Sequence, residues 1–157
     1  MLKKILKKEE GFTLAELLIV VAIIAVLVAV SIPIFTSQLE KSRESADIAN
    51  LRAAKAAAVT LYLGGQDLKG STITSDSEVY YDAQAGVLVS NSDAVKGYLK
   101  GTSVSGGCEN FKLSTKPDAV DDTQYTQSDN VAGGMIGTSI TNSGDVTLKV
   151  YTSSKGG

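Results

Sequence analysis

Apolar and polar positions along the chain fall into three regimes. From Phe12 to Phe35 the run FTLAELLIVVAIIAVLVAVSIPIF is apolar on every face, and Glu16 is its only formally charged residue. About 20 apolar residues at about 1.5 Å each cover a hydrocarbon core of about 30 Å, so this stretch predicts a membrane-crossing helix. From Ser37 to Leu63 the pattern becomes amphipathic. Ile48, Leu51, Ala54, Ala58 and Leu61 recur at spacings of three and four, while Glu40, Lys41, Arg43, Glu44, Asp47, Arg52 and Lys55 are read as lying largely elsewhere on the helix. Gly64 and Gly65 supply the stop.

Beyond Gly65 short β-type runs alternate with turn residues. Val79–Ala83 and Val87–Ser90 predict a hairpin around Gln84–Gly86. Ala94–Leu99 predicts a short helix capped by Ser92 or Asp93. Asn110–Leu113, Met135–Thr141 and Val146–Thr152 predict further strands, the last two joined by a turn at Asn142–Asp145. The expected fold is α+β, a long N-terminal helix packed on a small antiparallel sheet. The chain then divides into residues 1–11, a leader; 12–35, the apolar helix; 36–65, its amphipathic half; and 66–157, a β-rich head.

Charge sets the orientation. Lys3, Lys4, Lys7 and Lys8 precede the apolar run, whereas Glu40, Lys41, Arg43 and Glu44 behind it nearly cancel, so the N-terminus is expected to stay cytoplasmic and the head to be exported. An ordinary secretory signal would be cut after its apolar region at small residues; here Pro33, Ile34 and Phe35 crowd that place. Without residues 1–11 the chain carries 11 basic and 15 acidic side chains, a net charge of −4.

Composition narrows the chemistry. The chain of 157 residues has no His and no Trp, which removes the commonest zinc ligand and general base, and no paired-carboxylate motif supports an enzymatic reading. Asp118, Asp121, Asp122 and Asp129 match no calcium-loop spacing and read as a solvated loop, so no metal and no cofactor is expected. No long Lys/Arg patch marks a nucleic-acid surface. A single cysteine, Cys108, cannot form an intramolecular disulfide and reads as a small buried hydrophobe. Tyr62, Tyr80, Tyr81, Tyr98, Tyr125 and Tyr151 fit half-buried strand positions as well as an adhesive surface.

The junction KKEEG-FTLAE, with Gly11, Phe12, Glu16 and the apolar run behind them, resembles the signal of type IV prepilins. The resemblance is dense over residues 7–35, includes Pro33, and fades by about residue 60. It implies cleavage between Gly11 and Phe12 by a prepilin peptidase, N-methylation of Phe12, retention of the hydrophobic helix, and assembly with further copies of the chain by machinery in the membrane. It also implies that Glu16 of one subunit neutralises the new amine at Phe12 of its neighbour. Gly11 presents no side chain to a narrow protease cleft. A carboxylate inside a membrane segment costs about 2.5–3.5 kcal/mol at the centre and calls for a partner, so Glu16 has a physical reason to pair; its own Phe12 amine is the alternative. Pro33 lacks an amide hydrogen and is expected to kink or loosen the helix near residues 29–33. Related pilins often have Gly about eight residues earlier, where this chain has Ala25. Ala15, Ala22, Ala25, Ala29 and Ser31 let neighbouring helices approach.

The function implied is a pilus subunit serving adhesion, surface motility or biofilm formation, first in the membrane and then on the cell surface. A minor pilin, or a pseudopilin of a secretion or competence system, shares the same N-terminus. A membrane-anchored binding protein that never polymerises is the more distant alternative.

Overall fold

The computed structural model describes residues 11–64, 78–104, 107, 111–112, 124–125, 130–141 and 143–152. One helix, α1, runs from Leu14 to Gly64 and includes Pro33. Compact units divide the chain at Phe35 and Thr36.

In the first unit every described residue from Gly11 to Phe35 is exposed, so the apolar side chains of this part of α1 have no cover among the described residues. By length and composition α1 is able to cross a membrane. Ser31 returns its hydroxyl to the Leu27 carbonyl at 2.7 Å, which satisfies its polar group inside the apolar run.

In the second unit the amphipathic part of α1 packs on a four-stranded antiparallel sheet. Its strands are β1, Glu78–Asp82; β2, Val87–Val89; β5, Met135–Ile140; and β6, Val146–Tyr151. Their order is β2-β1-β5-β6. Register pairs Tyr81 with Leu88 and with Ile136, and Thr138 with Leu148. Strand alternation then directs Val79, Tyr81, Leu88, Ile136, Ile140, Val146 and Leu148 to the inner face, where they meet Ile48, Leu51, Ala54 and Ala58 of α1. The helical spacing of those four residues is what the sequence predicts. A separate ladder pairs β3, Phe111–Lys112, with β4, Gln124–Tyr125.

Turn chemistry closes the hairpins. Asp82 Oδ1 accepts the amides of Gln84 and Ala85, and Gly86 adopts φ +69° to bring its amide to the Asp82 carbonyl. At the β5–β6 turn Gly144 has φ +86°, and Thr141 and Ser143 hydroxyls link to Asp145. On the outer face Tyr151 and Glu78 lie over Gly137, so a side chain there would collide with both. Tyr80 stacks beside Tyr151 with centroids 6.0 Å apart.

Two expectations are corrected. Residues 94–99 form no α-helix. A short 3-10 turn covers Ser92–Ala94, and its cap is Asn91, whose Oδ1 accepts the Asp93 amide. The Tyr98 and Leu99 amides go instead to the Gly134 carbonyl, at 2.9 and 3.2 Å. Pairing with a distant segment of the same chain thus takes the donors that a local helix would have used. Cys108, Asp118, Asp121, Asp122 and Asp129 lie outside the described residues, as do Gly65, Asn110, Leu113 and Asn142.

The second correction concerns charge. Glu40, Glu44 and Asp47 do not face solvent; their relative exposures are 1%, 0% and 0%. At spacings of four and three they share one face of α1, directly N-terminal to Ile48 and Leu51. Asp47 accepts the amides of Lys100 at 2.9 Å and Gly101 at 2.6 Å, and the Tyr125 hydroxyl at 3.1 Å. Glu40 accepts the Thr102 amide, accepts the Thr102 hydroxyl at 2.7 Å, and pairs with Arg43 at 3.3 Å. The Glu44 carboxylate fills the space where a Cβ on Gly107 would stand, and the Tyr125 hydroxyl does the same at Gly101. The strap from Tyr98 to Gly107 is therefore tied to α1 by carboxylates. It is tied on its other side to residues 131–134 by backbone bonds such as Val131 N–H to Gly101 O at 3.0 Å and Gly133 N–H to Leu99 O at 2.8 Å.

Burial pushes the Asp47 carboxyl up, against its hydrogen bonds from Gly101, Lys100 and Tyr125. For Glu40, burial also acts upward, but the bonds from Thr102 and the Arg43 pair outweigh it and hold the group below its ordinary value. The two signs are opposite. Glu40 contributes stability that is complete above the ordinary carboxylate pKa and is lost as pH falls; Asp47 favours the folded state at low pH and loses that contribution as pH rises.

Two predictions follow the clamp. Asp47→Ala leaves three donors without their acceptor and should destabilise the head by about 3 kcal/mol, with Asp47→Asn costing roughly half as much; urea unfolding of the full chain in detergent, read by near-ultraviolet circular dichroism, measures both. Acidification from about pH 6 to about pH 3 should lower the urea midpoint less in Glu40→Gln than in wild type, because the substituted side chain no longer has a proton to take up.

Candidate functional site

Gly11, Phe12 and Glu16, the residues expected to serve processing and assembly, lie at the start of α1, and the structure gives that end a specific local geometry. Gly11, Phe12 and Thr13 precede the helix, which starts at Leu14. Among the described residues, no atom outside its chain neighbours lies within 4 Å of a Cβ built on Gly11, and Phe12 is 85% exposed. The Gly11–Phe12 peptide thus sits in non-helical, open backbone ahead of the first helical turn.

What stops the helix there is Thr13. Its carbonyl accepts the first helical bond, from Leu17 N–H at 3.2 Å. Its hydroxyl oxygen accepts the Glu16 amide at 3.3 Å, while its own amide and hydroxyl both donate to Glu16 Oε2, at 2.8 and 2.6 Å. This reciprocal pairing across Thr-x-x-Glu is a capping box, which satisfies orphan donors at a helix start. Its signal is present in the sequence as Thr13 and Glu16, but a reading that treats Glu16 only as a charge awaiting a partner passes over it. Glu16 also lies in the first turn, where the helix dipole favours an anion. Both donors from Thr13 fall on Oε2; Oε1 receives no protein hydrogen bond among the described residues.

Pro33 stands far from this cluster, inside α1, and the helix assignment continues on both sides of it. On the head, an open groove of about 860 Å³ runs between Ala53, Ala57 and Leu61 of α1 and Val87, Leu88 and Val89 of β2. Its described walls are largely apolar and bring no charged side chain into it. Among the described residues no group of three or more His, Cys, Asp or Glu is arranged to hold a metal ion.

Residues 6–32 match the family model of the prokaryotic N-terminal methylation motif. The segment carries that motif. The matched residues include Gly11 and Phe12, the capping box and most of the exposed apolar helix. A fimbrial protein of Pseudomonas aeruginosa is 34% identical to this chain over 73 residues, covering 46% of this chain and 47% of the relative. Fimbrial protein Q of Moraxella bovis is 28% identical over 99 residues, covering 63% of this chain and 60% of the relative. The chain thus spans about half the length of the Pseudomonas relative. No solved structure matches.

Thr13→Val removes the hydroxyl that caps α1, at a cost of about 1 kcal/mol to the first turn. Amide exchange at Glu16, followed by nuclear magnetic resonance in micelles, should accelerate about fivefold, and Thr13→Ser should restore the wild-type rate.

Proposed function

We propose that this chain is a structural subunit that polymerises through its N-terminal helix into a type IV pilus on the cell surface. The observation that carries this reading is the combination, in one chain, of the methylation motif over residues 6–32 with an apolar helix that has no cover of its own. Such a surface is stable in a bilayer, and outside it only when neighbouring copies bury it. The similarity to fimbrial proteins of two organisms supports the same conclusion.

The processing chemistry is that of a substrate. A prepilin peptidase cuts between Gly11 and Phe12, where the backbone is open, and the freed amine of Phe12 is methylated. Cleavage turns a neutral peptide nitrogen into a cation beside an apolar helix. Glu16 is the acid available to meet it. Because the capping donors use Oε2, a neighbouring subunit's Phe12 amine has Oε1 to approach, so the pair forms without dismantling the cap. In apolar surroundings much of the attraction is consumed by desolvation, and the pair acts chiefly as a device for axial register. Pro33, with no amide hydrogen to give, removes one ladder bond from α1 and supplies the place where the helix yields during packing. The adhesion, motility or biofilm role follows from the fibre, and the assembly machinery in the membrane extracts the subunit.

Mature protein in sheared surface material should begin at Phe12; mass spectrometry that finds residues 1–11 still attached would refute the processing assignment. Glu16→Ala should be cleaved and retained in the membrane at wild-type levels but yield at least about tenfold fewer fibres, the equivalent of about 1.4 kcal/mol at each subunit junction. Electron microscopy showing normal fibre numbers from that variant would remove the register role.

A further inference from the structure

We draw no further inference here: the strongest candidate, the open apolar groove between α1 and β2 on the head, is an unpartnered face, and nothing in the structure shows what covers it.

Discussion

Three carboxylates removed from water, two of them answered by backbone N–H groups, organise the head of this protein. Asp47 and Glu40 use one helix face to hold the amides of Lys100, Gly101 and Thr102, and Glu44 closes against Gly107. A buried carboxylate without donors would cost several kcal/mol, so helix and strap are mutually dependent. The strap has no regular secondary structure between Lys96 and Val104, and its backbone groups would otherwise have to be solvated. Asp47 reaches Tyr125 as well, which brings the β3–β4 ladder into the same arrangement. Loss of the Asp47 acceptor is therefore felt on three segments of chain at once.

The same interaction governs the outer surface. Helices facing water usually carry mixed charges, and here the acidic half of the mixture is used internally. What the second half of α1 shows to its surroundings is cationic, although residues 36–64 differ by only one charge from neutrality. What stays exposed beside the buried acids is the cationic part of the sequence, Lys41 and Arg52. Net charge computed from the chain gives no hint of this separation.

Which features the sequence discloses depends on whether they are periodic. The apolar run from Phe12 and the positions Ile48, Leu51, Ala54 and Ala58 repeat with the helix period, so their environments are readable. The hairpin at Asp82–Gly86 carries Asp and Gly where a turn requires them, and β5 and β6 follow from alternation. The carboxylate clamp is opaque because its donors are backbone amides 53 to 62 residues away, and an amide has no residue type. From sequence, Glu40, Glu44 and Asp47 look like ordinary surface acids. The segment at Ala94–Leu99 misleads for a related reason: its helix propensity is real, but the Gly134 carbonyl takes two of its amides. The cap at Thr13 belongs to a third kind, written in four residues yet hidden behind the more conspicuous charge of Glu16.

That local cap bears on how one residue serves several states of the molecule. Among the described residues Glu16 has no cation at its own helix start, and the two Thr13 donors give its carboxylate partners where the apolar run begins. The proposed cleavage would place an amine one residue before the cap. A carboxylate that had relied on solvent alone would need to change rotamer and hydration to meet that amine. One already fixed by Thr13 keeps its position and exposes its second oxygen, so the ordering cost is met before the partner arrives. On the proposed processing, the helix start would be the same object in precursor and subunit, and the chemical change at Phe12, rather than a refolding of α1, would mark the transition between them.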